Sequence, residues 1–176
     1  DQLAAIGVAP ERVTFLALSH AHWDHTGNVY QFTHATWLAR RAERDAMFAQ
    51  PPLALSRPAD FAGLEGAKTV LLTDDEYDVF GDGTVIIKSA PGHTPGHQVL
   101  YVRLAHSGGI LLGGDLYHFP EQLQLGTVPA FDYDTTATRA SRVAVAAYLK
   151  KVGGQMWVQH DFAANQALRK SPLFYE

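Results

Sequence analysis

The stretch Ser19-His20-Ala21-His22-Trp23-Asp24-His25 decides how the rest of this chain is read. It follows directly on Val13-Thr14-Phe15-Leu16-Ala17-Leu18, a β-branched and aliphatic run that reads as a buried strand. Three imidazoles and a carboxylate therefore crowd the end of one strand. Neutral imidazole is the commonest side-chain metal ligand, and carboxylate adds a hard oxygen donor. A spacing of two puts His20 and His22 on the same side of an extended backbone, so both can grip one ion. Asp24 and His25 continue into the turn and can face a second ion. The plainer reading is a polar loop that happens to be rich in histidine, and it leaves the position after a buried strand unexplained.

Three further segments place ligand-type residues between or after strands: Pro91-Gly92-His93-Thr94-Pro95-Gly96-His97, then Ile110-Leu111-Leu112-Gly113-Gly114-Asp115, then Trp157-Val158-Gln159-His160. Each alone is weak, because a lone histidine at a strand end is more often a hydrogen-bonded structural residue. Together with the first cluster they supply His20, His22, His25, His93, His160, Asp24 and Asp115, enough for two metals sharing a bridging carboxylate.

The remaining sequence agrees with a single globular unit spanning 1–176. The 176 residues are 47% apolar and 18% charged, which argues against disorder. A net charge of −4 gives no electrostatic footprint for nucleic acid or an anionic membrane. No apolar run approaches the roughly 18 residues of a membrane-spanning helix. The absence of cysteine excludes disulfides, thiolate nucleophiles and Cys-based zinc sites. There is also no Gly-x-Ser-x-Gly elbow.

Residues 1–7 read as the end of a helix stopped at Gly7. Strands are expected over 36–39 and 69–73, as a hairpin of 77–80 with 84–88, as a pair 98–104 and 110–113, and over 155–159. Helices are expected over 40–49 (exposed), 135–151 and 162–170. In the second of these, Val143, Ala147 and the residues about Leu149 recur at helical spacing. The irregular, Pro-containing stretch 50–68 has the length of a lid or binding loop. Paired strands interrupted by helices indicate a mixed α/β layered fold.

The order and spacing of His20-Ala-His22-Trp-Asp24-His25, Gly92-His93, Gly114-Asp115 and His160 resemble the metallo-β-lactamase superfamily of metal-dependent hydrolases. The resemblance implies a four-layer αβ/βα sandwich with two divalent ions, most simply Zn²⁺, though Mn, Fe or Co fit the same donors. It assigns one ion to His20, His22 and His93 and the other to Asp24, His25 and His160, with Asp115 bridging. The pair would activate a shared hydroxide to open a small-molecule lactone or ester. The strings Gly92-His-Thr-Pro-Gly-His-Gln98 and Gly114-Asp-Leu-Tyr-His-Phe119 look most like the quorum-quenching N-acyl homoserine lactonase family. The arylester and organophosphate hydrolases are its neighbours and supply the alternative substrate.

Two departures from that pattern stand out. The lactonases place a Tyr three residues after the bridging Asp, whereas here Tyr117 stands at the second position and His118 at the third. The oxyanion role, if kept, falls to His118, and Asp24 is the candidate to orient or shuttle a proton. Family members also have several strands and an Asp-Thr-Gly substrate loop ahead of the helix ending near Gly7. The resemblance thus implies an N-terminally shortened fold, and a metal-binding but inactive fragment with an unpaired sheet edge is a further alternative. Such relatives often carry a secretion signal, which favours a bacterial periplasm over the cytoplasm. Nothing in the sequence specifies an oligomeric state. His97 reads as fixing its loop, and His34 and His106 as facing solvent. Asp161 reads as orienting an imidazole or capping a helix, and Trp23 and Phe119 as pocket walls or packing residues.

Overall fold

The computed structural model describes residues 2–176, so of the helix expected over 1–7 only Asp1 lies outside the described residues. The chain runs from α1 (Gln2–Ala5) through β1 (Phe15–Ala17), α2 (Trp23–Thr26), β2 (Thr36–Arg40), α3 (Arg41–Met47), α4 (Pro58–Phe61) and β3 (Thr69–Leu72). It continues through β4 (Glu76–Asp78), β5 (Val85–Ser89), β6 (Gln98–Leu104), β7 (Gly108–Leu112), α5 (Glu121–Leu125), α6 (Thr135–Val152), β8 (Gly154–Trp157) and α7 (Phe162–Ala167). Strands β1, β2 and β3 form a parallel sheet in that order. Strands β4 to β8 form a second sheet, antiparallel until β8 joins β7 in parallel.

Side-chain alternation builds the layers. Along β2, Leu38 meets Ile87 of the second sheet and Leu72, forming the core between the sheets. Its neighbours Trp37 and Ala39 point the other way, against Met47 of α3 and Phe61 of α4. On β6, Val99 and Tyr101 face Val145 and Tyr148 of α6, while Leu100 turns toward the inter-sheet core. The result is helix, sheet, sheet, helix. Burying side chains such as Leu38 and Ile87 contributes about 1.5–3 kcal/mol each.

Several local expectations need correction. The strand read over 13–18 is shorter and half exposed, because among the described residues β1 pairs only with β2, at the edge of its sheet; Phe15 stacks edge-on against Phe80 instead of entering a core. The helix of 40–49 is not an exposed one, since Glu43 and Met47 are buried. The stretch 50–68 contains α4 and a 3₁₀ turn at Ala62–Leu64, whose Phe61 and Leu64 are fully buried. On α6 the buried face is Thr138, Ser141, Arg142, Val145 and Tyr148, while Val143 is exposed. That face includes polar residues bonded to loops, which a purely apolar reading passes over. Helix α6 is bounded as its caps dictate: Asp134 accepts from the Thr136 and Ala137 amides, and Gly153 closes the end at φ 68°.

Candidate metal centre

The carboxyl ends of β1, β5, β7 and β8 converge, and each carries one of the motif loops. After β1 the chain bends at Ser19 and Ala21, is extended at His22 (φ −67°, ψ 152°) and then enters α2, which carries Asp24 and His25, the His25 ring packed 4.1 Å from that of His20. After β7, Gly114 adopts φ +50°; a Cβ there would lie 2.7 Å from His97 Nε2, so only glycine lets the chain turn Asp115 inward.

Two groups result. His20, His22, His93 and Asp115 each offer an atom within 4.8 Å of the others, and so do Asp24, His25 and His160. Asp115 joins them by splitting its oxygens. Oδ2 lies 3.4 Å from His93 Nε2 and 3.8 Å from His20 Nε2. Oδ1 lies 3.0 Å from His25 Nε2 and 3.2 Å from His160 Nε2. Asp24 Oδ2 stands 3.5 and 3.6 Å from those same two nitrogens. All seven residues named from the sequence are therefore brought together, with His118 beside them, its Nε2 3.2 Å from Asp115 Oδ2.

The donor set fits divalent cations. Ser19 Oγ lies 3.1 Å from His20 Nδ1 and 3.0 Å from His25 Nδ1. Accepting from both leaves both Nε2 lone pairs directed into the cluster, where they are buried with no hydrogen-bond partner. His93 Nε2 and His22 Nδ1 approach to 3.0 Å, close for two lone pairs unless a cation or proton lies between. Burial, reinforced by His97, holds His20 well below the usual histidine range. Burial and the neighbouring His93 bring His22 down to about 4. Both imidazoles are thus neutral and able to ligate near pH 7. Burial pushes the Asp115 carboxyl up, but His118, His25 and the other imidazoles around it outweigh that, keeping the group well below the usual carboxylate range.

The loops are latched to one another by three groups. His97 Nδ1 donates to the Ala90 carbonyl, and its Nε2 accepts from the Asp115 amide at 3.0 Å, so this fully buried histidine fixes its loop as read. Glu43 of α3 accepts from the Ala21 amide (2.7 Å), the Thr94 hydroxyl (2.7 Å) and the Gly96 amide (2.8 Å), tying the first histidine loop to the second. Burial raises its pKa despite those bonds. Asp132 sits 2.9 Å from His93 Nδ1.

Above the cluster opens a cleft of about 360 Å³ whose apolar walls are Trp23, Leu55, Phe119 and Phe131. Leu55 is held at φ 60°, with its carbonyl accepting from the Trp23 amide, so the stretch 50–68 does reach the cleft. Strain at a non-glycine residue of this kind costs about 1–3 kcal/mol and clusters at functional sites.

A family model of the metallo-beta-lactamase superfamily matches residues 1–152. This chain belongs to the metallo-β-lactamase superfamily. It is 34% identical to an N-acyl homoserine lactonase AttM of Rhizobium radiobacter, over 99% of this chain and 68% of that protein. It is 27% identical to the N-acyl homoserine lactonase AiiA of Bacillus thuringiensis subsp. kurstaki, over 98% of this chain and 65% of that one. Among solved structures, an N-acyl homoserine lactone hydrolase with N-hexanoyl-L-homoserine bound at its metal centre superimposes with TM-score 0.81 at 24% identity, covering 99% of this chain and 66% of the other. The chain spans about two thirds of the length of these relatives. Among the described residues no helix is long and apolar enough to cross a membrane.

Within this metallo-β-lactamase fold the remaining candidates fall into place. Tyr117 turns into the core, with the Arg142 guanidinium 4.1 Å over its ring. His118 instead lines the cleft, stacked on His160 at 5.7 Å with 10° between the planes. Asp161 caps α7 through the Ala164 amide and does not touch an imidazole. His34 and His106 are exposed. Glu43 and Asp132 carried no sequence signal, because a carboxylate that meets its partner only through tertiary contact has no characteristic spacing.

Proposed function

We propose that this chain is a dinuclear metal-dependent hydrolase that opens N-acyl homoserine lactones. The observation that carries this reading is the split carboxylate of Asp115, one oxygen toward each half of the cluster, beneath an apolar cleft. The likeness to proteins named N-acyl homoserine lactonases supports the substrate class. His20, His22 and His93 would hold one divalent ion and Asp24, His25 and His160 the other, with Asp115 shared. Zn²⁺ suits the imidazole-rich set, and the pair would lower the pKa of water toward about 7 and polarise a carbonyl oxygen.

The chain's own groups supply the rest. His118, which lines the cleft beside Asp115, is the side chain we assign to the substrate's carbonyl oxygen. The Asp24 carboxylate, 31% exposed, is placed to take up a proton and return it to the departing alkoxide. Trp23, Leu55, Phe119 and Phe131 offer an acyl chain an apolar surface.

Initial rates of the zinc-loaded protein on an acyl homoserine lactone and on an aryl phosphotriester test this reading. Lactone is expected to be the faster substrate, with hydrolysis abolished by chelation. Asp115→Ala should lower kcat/KM on the order of 10³-fold, the loss of several kcal/mol of charge stabilisation. Unchanged turnover after chelation removes the metal reading, and a faster phosphotriester reassigns the substrate.

A further inference from the structure

Asp132 lies outside every motif the sequence singles out, 39 residues beyond the histidine it touches. We infer that Asp132 is a positioning residue that sets the tautomer of His93, holding its proton on Nδ1 so that the Nε2 lone pair faces the cluster. This rests on the reading of His93 as a metal ligand given above.

The geometry is closed on every side. His93 Nδ1 and Asp132 Oδ1 are 2.9 Å apart, with the two side chains 1% and 0% exposed. The second oxygen, Oδ2, accepts from the Thr138 hydroxyl at 2.7 Å, which prevents the carboxylate from rotating away. The backbones are docked as well: the Tyr133 amide donates to the His93 carbonyl at 3.2 Å, and the Asp134 amide to the Gly92 carbonyl at 2.8 Å. Gly92, at φ +135°, lets the histidine loop close on α6; a Cβ there would run into the Thr138 backbone.

An ionised carboxylate only accepts, so the imidazole nitrogen facing it must carry the hydrogen. The other nitrogen is then bare, and it is the one 3.0 Å from His22 Nδ1 and 3.4 Å from Asp115 Oδ2. In the opposite tautomer an N–H would point at the cation. Two of the other imidazoles are served differently: Ser19, a neutral hydroxyl, backs both His20 and His25. Among the described residues, His93 is the ligand candidate with a carboxylate behind its ring. Outer contacts of this type set ring orientation and ligand basicity, and removing one typically lowers metal affinity by about 10–100-fold.

The test uses the zinc-loaded full chain, labelled with ¹⁵N. In the wild type, long-range ¹H–¹⁵N spectra should show a His93 Nδ1–H that is shifted downfield and slow to exchange. Asp132→Asn should lose that signature, and chelator competition should find one zinc equivalent held about 10–100-fold more weakly. Thr138→Val, which removes one restraint on the carboxylate but keeps its charge and its oxygens, should weaken the signature and the zinc affinity less than Asp132→Asn does. A protected Nδ1–H that is missing from the wild type overturns the inference whether or not any variant folds. So does zinc affinity in Asp132→Asn equal to the wild type, or an equal loss in Thr138→Val. A wild-type chain that takes up no zinc at all overturns the metal reading itself, and that result is distinct from these.

Discussion

The two halves of the cluster are held with unequal firmness. His20, His22, His93 and Asp115 are all buried, and the loops that carry them are tied down by Glu43, Asp132, His97 and Ser19. In the other half His160 and Asp24 are 36% and 31% exposed, and His160 Nε2 faces the carboxylates of Asp115 and Asp24. The difference teaches a division of labour. The inner half is preorganised, its ligand loops fixed, while the outer half stands at the cleft where substrate must arrive. Preorganisation lowers the cost of ordering ligands around an ion, so the inner ion should bind first and leave last.

Substitutions in the two halves give the largest expected contrast. His22→Ala should weaken the inner ion by more than the roughly 10–100-fold that an outer contact is worth. His160→Ala should lose the outer ion and retain the inner one. Elemental analysis after dialysis against a graded series of chelator concentrations reads both, and equal losses in the two variants would erase the distinction.

A smaller effect tests the latch behind the inner half. In Glu43→Gln one amide NH₂ must face the Ala21 amide or the Thr94 and Gly96 donors, leaving buried donors unpaired. The expected cost is about 1–3 kcal/mol in urea unfolding, accompanied by weaker zinc binding. A variant as stable as the wild type would show that the loops hold together without this carboxylate.

The effect that is smallest at any one step is spread over a range of pH. Burial, reinforced by His93, brings His97 down to about 3, against an ordinary value near 6.5. The unfolded chain therefore binds a proton that the folded chain refuses between those two values. The stability is fully present above about pH 6.5 and is lost as pH falls toward 3, at up to about 1.4 kcal/mol per pH unit for each histidine kept neutral. Urea melts of the metal-free protein at successive pH values measure the slope. A flat profile would mean that the histidines charge without opening the inner half.

Much of this was legible along the chain because ligand-type residues cluster at strand ends. His20, His22, Asp24 and His25 announce themselves by spacing, and Gly92 and Gly114 mark the turns beside them. The strand pairs after residue 75 were legible through turn glycines and alternation, and β6 has the expected bounds. What misled was burial. The run at 13–18 is apolar enough for a core strand, yet apolarity does not say how many neighbours a strand has. Val143 and Ala147 fit a helical period, yet the packed face of α6 includes Thr138, Ser141 and Arg142, whose polar atoms bond to loops. A hydrophobicity pattern cannot register such contacts.

The amino-acid order alone determined the chemistry available: neutral nitrogen and carboxylate donors in number and sequence suited to a pair of cations, and no cysteine or serine-elbow nucleophile to compete. Only the tertiary structure decided which oxygen of Asp115 serves which half, that His118 and not Tyr117 faces the cleft, and that Glu43 and Asp132 stand behind the ligands. The reason is physical. Donor type is a property of a residue, whereas the direction of a lone pair and the shielding around it arise only when strands distant in sequence end at one place.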